Sequence, residues 1–253
     1  MPCYSAFCFG PVTDQPPDRG PPHGPVPPDV RRLLWIVVSE IILYVVLDVV
    51  AQLLPPHYSA ITQAESDLAV GPYGFIMAIN FVNRGVLSLL FLYALYRTLN
   101  AGERGWEPFR RGAAFLAVWG VGALLLAAFP TDVPSTPLSW HGTIHLVVAL
   151  LAFIGGAVGV FLLASHFERN EFLKEAGSFA LPLAALALVL LVVELGAGIA
   201  VPRLSVRIGG LTERLFLGSI LGWILLVSLY LLRQPAQVLT SGSGRSPPTR
   251  APT

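Results

Sequence analysis

Charged side chains are scarce in this chain of 253 residues. Only 12% of the residues are Asp, Glu, Lys or Arg, against 54% hydrophobic residues, and the mean hydropathy is strongly positive. A soluble domain of this length usually has about a quarter of its residues charged, so this composition excludes a soluble globular protein. The formal net charge of +1 gives no indication of nucleic-acid binding, and we predict none.

Cysteine is nearly absent as well. The two cysteines, Cys3 and Cys8, lie close together near the start of the chain. We predict that this segment is cytoplasmic, where structural disulfides are rare, and two cysteines without further ligands do not indicate a metal site. We therefore assign the cysteines no role.

Long apolar stretches are what the chain has in abundance. Five of them reach the ~18 to 25 residues that a helix needs to cross a bilayer, and the third is at the lower limit. They predict an all-α fold, a polytopic membrane bundle of six transmembrane helices. The stretches cover residues 33–54, 75–99, 113–129, 143–165, 179–202 and 215–232.

The segments before and after the predicted bundle have the composition of tails. Residues 1–30 are rich in proline, and residues 234–253 combine Ser-Gly repeats with scattered prolines. Both compositions are typical of disordered segments. We predict a disordered cytoplasmic tail over 1–30, a six-helix transmembrane domain over 31–233 and a second disordered cytoplasmic tail over 234–253.

The basic residues predict the orientation, because Lys and Arg near helix ends stay on the cytoplasmic side. Of the 16 Lys and Arg residues, twelve fall in the two tails and in the second and fourth loops. Only Arg203, Arg207 and Arg214 fall on the other side, and Arg84 lies inside the second stretch. We therefore predict a plasma-membrane protein of a bacterium, surrounded by membrane lipids, with both termini cytoplasmic and the first, third and fifth loops external.

Polar residues inside the apolar stretches are candidates for a functional site. A charge near the bilayer centre costs at least about 2.5 to 3.5 kcal/mol and normally faces a partner or a cavity. Asp48, Arg84 and Glu194 all lie roughly 9 to 14 Å below the outer boundary, judged by the rise of 1.5 Å per residue. Arg84 can pair with Asp48 or Glu194 as a purely structural contact, or the layer can form a substrate or proton pathway. The predicted polar cluster comprises Asp48, Asn80, Arg84 and Glu194, with Asp67 and Arg214 above them.

Two histidines near the outer end of the fourth stretch suggest a metal site. His141 and His145 are four residues apart, a spacing that lets both imidazoles reach one metal ion, and Asp132 precedes them in the third loop. Zinc with these three ligands is one interpretation. Capping of the helix end with hydrogen bonds to Asp132 is a second, and a proton-linked role is a third. The external acids Glu65, Asp67 and Glu213 can complete a ligand set.

Several short segments, taken in order, resemble one family. They are Glu65 to Gly74, Phe129 to Asp132, His141 to His145 with Phe153 downstream, and Gly210 to Arg214. Together they resemble the prokaryotic integral membrane proteins of domain-of-unknown-function family 998, over about residues 33 to 232. The resemblance implies a membrane fold of six or seven helices and no established reaction.

A more distant similarity is to the ceramidase-like membrane hydrolases. In that group three His, an Asp and a Ser surround a zinc ion near one membrane face. His141 and His145 then match a histidine pair, and Asp132 or Asp67 matches the acid. The chain departs from the pattern because it has no third intramembrane histidine.

Two functional hypotheses follow. The first is a non-enzymatic membrane protein, a small-solute or proton transporter or a sensor of the lipid environment, in which the layer of Asp48, Arg84 and Glu194 binds a polar group, a lipid or a proton. The second is a metal-dependent hydrolase that acts on lipid or peptide at the outer face, with His141, His145 and Asp132 as ligands and Glu213 as acid or base. The sequence does not decide whether the protein is an enzyme.

Overall fold

The computed structural model describes residues 26–54, 56–99, 106–133, 136–200 and 202–235. These ranges hold all six apolar stretches apart from a residue or two at their ends. The predicted disordered tails fall almost entirely outside the described residues, so those two predictions stay predictions.

Six long α-helices account for most of the described residues, as the sequence predicts. They are α1 (Pro28–Leu53), α2 (Gly74–Thr98), α3 (Trp106–Ala128), α4 (Trp140–Phe167), α5 (Lys174–Ala200) and α6 (Pro202–Arg233). A short 3-10 helix, Glu65–Ala69, lies in the loop between α1 and α2. Each α-helix contains a segment long and apolar enough to cross a membrane. The all-α, six-helix prediction is therefore confirmed.

Several helices begin before the apolar stretches from which they are predicted. α3 begins at Trp106 and α6 at Pro202, whereas the apolar stretches begin at 113 and 215. Hydropathy marks only the part of a helix that meets the hydrocarbon core. The added turns of α3 carry the exposed residues Glu107, Arg110 and Arg111, which suit the headgroup region. Pro202 fits the first position of α6, where a helix needs no backbone N–H donor.

The helices are arranged as a closed ring. Each helix packs against its neighbours in the sequence, and α1 closes the ring by packing against α6. α6 also contacts α2 and α4, so it lies closest to the bundle centre. The 3-10 helix contacts α1, α2 and α6, which places it inside one end of the ring.

The two ends of the bundle differ in the segments that lie there. At one end, where the first and last described residues meet, the Val26 amide donates to the Pro235 carbonyl at 3.0 Å, and Arg97 pairs with Asp29 at 3.0 Å. We call this the terminal end. The opposite end, which holds the loops 54–73 and 129–139 and the α5–α6 junction, is called the outer end, because the predicted orientation places it outside the cell.

Glycine lets α3 and α4 pack closely. A Cβ atom on Gly159 would lie 2.5 Å from the backbone nitrogen of Leu116, and one on Gly155 would lie 2.8 Å from the Phe115 carbonyl oxygen. Such approaches are possible only without a side chain, and small residues serve this purpose widely in membrane bundles. The closest helix pair in the ring is thus set by two glycines.

The orientation predicts which loops are reachable from outside the cell. In a chain with Cys3 and Cys8 changed to Ser, a cysteine introduced at the exposed Thr136 should react with a membrane-impermeant maleimide on intact cells. A cysteine at the exposed Glu171, in the loop at the terminal end, should react only after lysis. The opposite pattern would reverse the assigned orientation.

Gly159→Ala should destabilise the bundle by about 1–3 kcal/mol, because the added methyl meets backbone atoms that cannot rotate away. Gly218→Ala is the matched control, since a Cβ atom at Gly218 meets nothing within 4 Å. Thermal unfolding in detergent should show a lower midpoint for the first variant and an unchanged or higher one for the second. Equal midpoints would contradict the packing argument.

Candidate functional site

The loop between α1 and α2 folds back into the bundle at the outer end. We call residues 54–73 loop 1. Its 3-10 helix buries Glu65, which is 2% exposed, and Leu68, which is 8% exposed. A carboxyl group placed among apolar helices costs several kcal/mol unless it is neutralised or paired. The partners of Glu65 are therefore the centre of the site.

Arg214 of α6 holds loop 1 in place. Its guanidinium donates to the carbonyls of Ala60, Gln63 and Gly210 at 3.2 Å each and to the Tyr58 hydroxyl at 2.6 Å. Charge-assisted hydrogen bonds of this kind are the strong ones, and a guanidinium is the side chain that can make several at once. One arginine thus fixes the backbone of loop 1 at two carbonyls.

Glycines permit the close contact between loop 1 and α6. A Cβ atom on Gly210 would lie 2.1 Å from the Gln63 carbonyl oxygen. Next to it, the Leu211 amide donates to the Ile61 carbonyl at 3.0 Å. Gly71 has φ of 96°, a conformation that other residues rarely adopt, and it turns the chain from loop 1 toward α2. The loop is therefore seated against α6 along several residues.

The Glu65 carboxyl group meets three side chains. The Tyr44 hydroxyl of α1 donates to Oε1 of Glu65. Arg84 Nη1 of α2 lies 3.9 Å from Oε2 of Glu65, too far for a hydrogen bond but close enough for an ion pair. The carboxyl group of Asp48, on α1, lies within hydrogen-bonding reach of Glu65. Two acids and one arginine therefore share the same buried space.

Aromatic rings cover the Arg84 guanidinium. Its central carbon lies 5.1 Å from the centre of the Phe81 ring and 4.7 Å from that of Trp119. Aromatic faces attract a cation, and the effect grows when the pair is removed from water. Arg84 is only 1% exposed. The two rings hold the guanidinium in place. Among the described residues, Glu65 is the acid with which it forms an ion pair.

Asp48 and Arg214 form a second ion pair beside the first. Arg214 Nη2 lies 3.8 Å from Oδ1 of Asp48, and the Gln52 amide donates to Oδ2 of Asp48 at 2.5 Å. Among the described residues, neither Oδ1 of Asp48 nor Oε2 of Glu65 has a hydrogen-bond partner, although both atoms are buried. Buried polar atoms without a partner are rare in proteins and call for an explanation.

Glu213 adds a third carboxyl group to the cluster. Its Oε2 accepts a hydrogen bond from the Glu65 amide at 3.0 Å, and the residue is 8% exposed. We call Asp48, Glu65, Glu213, Arg84 and Arg214 the buried cluster. Burial, together with the negative charge of Asp48, raises the pKa of Glu65 to about 7, although the positive charge of Arg84 acts in the opposite direction.

The predicted polar cluster is assembled only in part. Arg84 forms an ion pair with Glu65, and no ion pair joins it to Asp48 or Glu194 among the described residues. Glu194 accepts a hydrogen bond from the Thr212 hydroxyl, and Asn80 donates to the Tyr44 carbonyl at 3.2 Å.

Asp67 lies beside a small cavity between loop 1 and the end of α1. The cavity has a volume of about 70 Å³, and Asp67, Tyr58, His57 and Gln63 are among the residues that line it. Burial raises the pKa of both Asp67 and Tyr58. A polar space of this size can hold water, which needs room and polar partners. Asp67 is thus separated from the buried cluster by Tyr58 and its contact with Arg214.

Sequence reasoning missed the inward position of Glu65 and its contact with Tyr44. Both Glu65 and Glu213 were expected among external acids. The available signal was a four-residue step on α1 from Glu40 through Tyr44 to Asp48, which places these residues on one helix face. Nothing in the local sequence of Glu65 distinguishes a buried acid from an exposed one.

The third loop and the start of α4 form a separate polar group. Ser139 is the N-cap of α4, its hydroxyl accepting from the Gly142 amide at 3.1 Å. Asp132 accepts from the Ser139 amide at 2.8 Å and from its hydroxyl at 2.6 Å, and these bonds lower the pKa of Asp132. This arrangement satisfies amides that are unpaired at every helix start.

The two histidines face backbone carbonyls. His145 Nδ1 lies 2.7 Å from the Phe129 carbonyl oxygen, and His141 Nδ1 lies 3.3 Å from that of Pro130. His141 Nδ1 also lies 3.6 Å from Oδ1 of Asp132. In the part of the chain that the structure describes, no three His, Cys, Asp or Glu residues are grouped closely enough to hold a metal. The described residues thus do not assemble the ligand set that the remote hydrolase similarity implies, and zinc binding stays a prediction.

The fold and the buried cluster define a multi-pass membrane protein with an ionisable site at one end. The chain belongs to the family described as protein of unknown function (DUF998), whose sequence profile matches residues 38–230. The match covers most of the bundle, including loop 1 and the Gly210–Arg214 segment, and it confirms the resemblance of the sequence motifs. No curated protein and no solved structure matches the chain significantly.

The zinc interpretation predicts near-stoichiometric zinc in detergent-purified protein and its loss in a variant that carries His141→Ala and His145→Ala. Plasma mass spectrometry measures the metal, and the thermal midpoint of the variant shows whether it folds. Protein without bound metal, with a normally folded variant, would contradict the interpretation and leave the helix-capping role.

Proposed function

We propose that this chain is a non-enzymatic, proton-linked membrane protein, in which the buried cluster binds and releases a proton during the transport of a small polar solute. We further propose that it resides in the plasma membrane with both termini cytoplasmic. Ionisable residues inside a membrane bundle are often parts of proton or substrate pathways, because their cost is otherwise hard to justify.

The observation that carries the proposal is the meeting of two carboxyl groups. Oδ1 of Asp48 and Oε2 of Glu65 are buried and without hydrogen-bond partners among the described residues, yet their carboxyl groups lie within hydrogen-bonding reach. Two carboxylates at this separation repel each other. A single proton shared between them turns the repulsion into a hydrogen bond and satisfies both oxygens, as in other carboxyl pairs.

The charge balance of the cluster supports the same conclusion. Its three carboxyl groups face two guanidiniums, and an arginine does not release its proton in proteins. Full ionisation leaves one uncompensated negative charge in an apolar setting. One bound proton makes the cluster neutral. The charge balance therefore favours one bound proton, carried either by the Asp48–Glu65 pair or by Glu213, the carboxyl group that has no ion pair among the described residues.

The position of Glu65 links the proton to a movement. Glu65 lies on loop 1 rather than on a membrane-spanning helix, and its side chain is the part of loop 1 that reaches Arg84. Loss of the shared proton leaves Asp48 and Glu65 both negatively charged. Their repulsion weakens the attachment of loop 1 to the bundle. Proton release and opening of the outer end are thereby coupled in one step, which is what a proton-linked transporter requires.

Infrared spectra test the proton pair directly. Between about pH 5 and about pH 9, reconstituted protein should lose a carbonyl band of a protonated carboxylic acid. Glu65→Gln and Asp48→Asn should each abolish that change, whereas Glu171→Gln, at an exposed position of the terminal end, should leave it intact. A spectrum without a titrating carboxylic acid in the wild type would refute the proposal.

The pH dependence of thermal stability is a second, independent test of the raised pKa of Glu65. The folded-state pKa of Glu65 lies at about 7, above its ordinary value of 4.5, so the folded protein binds more protons than the unfolded chain between these values. The stability that Glu65 contributes is complete below pH 4.5 and is lost as the pH rises through 7. The loss amounts to at most about 3 kcal/mol. Glu65→Gln should flatten this decline in the unfolding midpoint.

A further inference from the structure

The surface of α3 carries two adjoining grooves that the buried cluster does not use. One groove lies between α2 and α3 and has a volume of about 640 Å³, and the other lies between α3 and α4 and has a volume of about 300 Å³. Volumes of this order are typical of sites that bind small molecules. Ala114 and Ala117 line both grooves, so the two grooves meet on α3 at residues with small side chains.

The two grooves differ in polarity. The α2–α3 groove lies toward the terminal end, and its lining includes the exposed residues Arg110 and Arg111. The α3–α4 groove is lined by alanine, glycine, valine and leucine residues. Together the grooves have a charged part at the terminal end of the bundle and an apolar part beyond it.

Both parts lie on one face of α3. Arg110, Ala114, Ala117 and Val121 follow one another at steps of three or four residues, which places them along one side of the helix. Ala114 and Leu125, the outermost residues of α3 in the apolar groove, are roughly 16 Å apart at the helical rise per residue. That length is close to half of a hydrocarbon core of about 30 Å, which is the depth that one acyl chain covers in its own leaflet.

Positive charge is in excess at the terminal end of the grooves. Oε1 of Glu107 accepts a hydrogen bond from Arg110 at 3.0 Å, and Oε2 of Glu107 lies 3.9 Å from Nε of Arg111. Both pairs are exposed, and exposed ion pairs are weak. One carboxylate thus faces two guanidiniums, and the planar donors of a guanidinium match the oxygens of a phosphate group.

Two tyrosines of α2 form the opposite wall of the charged groove. Tyr93 and Tyr96 are both exposed and both line it. Tyrosine is common at the level of the lipid headgroups, where its ring contacts the chains and its hydroxyl reaches the polar region. The level of the two tyrosines therefore marks the boundary between the headgroup and the chains of a bound lipid.

We infer that the two grooves form a binding site for one anionic phospholipid of the leaflet at the terminal end. Arg110 and Arg111 bind its phosphate, the glycerol region lies against Tyr93 and Tyr96, and one acyl chain lies along α3 in the apolar groove. The predicted orientation makes this the inner leaflet, where basic residues near the membrane surface attract anionic lipids. The inference does not depend on the proposed proton-linked function.

A second copy of the chain fits this face less well than a lipid. Two copies in one membrane have the same orientation, so a two-fold contact across α3 brings Arg110 and Arg111 close to the same residues of the other copy. Like charges at one level repel each other, whereas a phosphate group neutralises them. Charge complementarity therefore favours the anionic lipid.

Native mass spectrometry of the detergent-purified full chain tests the charged part of the site. Palmitoyl-oleoyl phosphatidylglycerol should bind as one retained molecule, about tenfold or more tightly than phosphatidylcholine with the same chains. Arg110→Gln combined with Arg111→Gln should remove this preference. Arg169→Gln combined with Lys174→Gln is the matched control, because it removes two exposed positive charges of the terminal end outside both grooves, and it should leave the preference intact.

Ala114→Leu tests the apolar part, since the larger side chain fills the place where the grooves meet. It should weaken the binding of phosphatidylglycerol by about threefold or more, the loss expected when a single methylene group is displaced from apolar contact. Ala128→Leu, at an exposed position of α3 that lines neither groove, should leave the binding unchanged. Excess inorganic phosphate, which has no acyl chain, should not displace the lipid.

Several outcomes would overturn the inference. They are equal binding of the two lipids to the wild type, a preference that persists in the double Gln variant, and displacement of the lipid by inorganic phosphate. A protein that is dimeric in detergent and becomes monomeric as Ala114→Leu assigns the face to a second copy and also overturns it. The thermal midpoint shows whether each variant folds. If the double Gln variant does not fold, each single variant replaces it, with a loss of preference of about threefold expected.

Discussion

The buried guanidinium of Arg84 is the constraint on which the outer end of this protein depends. An arginine keeps its charge even in an apolar surrounding, so a negative partner must be brought to it. No spanning helix supplies that partner among the described residues: loop 1 does, with Glu65. Arg214 and Gly210 of α6 in turn hold the loop inside. Two of the segments that resemble the family, Glu65 to Gly74 and Gly210 to Arg214, are thus two sides of one contact.

The fold could be predicted from sequence because membrane insertion is governed by apolar length, a property that each stretch carries by itself. The site could be predicted only in part. Asp48 and Arg84 were found because charges inside apolar stretches are conspicuous. Glu65, the acid that pairs with Arg84, was not found, since hydropathy assigns it and its polar loop to water. Loop 1 folds back into the bundle because residues far away in the sequence, such as Arg214, bind it. No local sequence pattern around Glu65 predicts this.

The two ends of the bundle use charge differently. At the terminal end the pairs Arg97–Asp29 and Arg110–Glu107 are exposed or half-exposed, and pairs of that kind contribute little to stability. At the outer end the Arg84–Glu65 pair is buried and the Asp48–Arg214 pair is half-buried, and neither Oδ1 of Asp48 nor Oε2 of Glu65 has a hydrogen-bond partner among the described residues. The two ends therefore differ in how far their central ion pairs are removed from solvent.

The closure of the ring by α1 and α6 has a mechanical consequence. The backbone hydrogen bond from Val26 to Pro235 joins the residues just before α1 and just after α6, so the ring of six helices is closed at that point by a main-chain contact as well as by helix packing. In a closed ring each helix is held by two neighbours, so the separation of any one helix pair is resisted by the rest of the ring. Movement that leaves the packing of the long helices intact is then easiest in loop 1, which lies inside one end of the ring and is attached to α6 by hydrogen bonds.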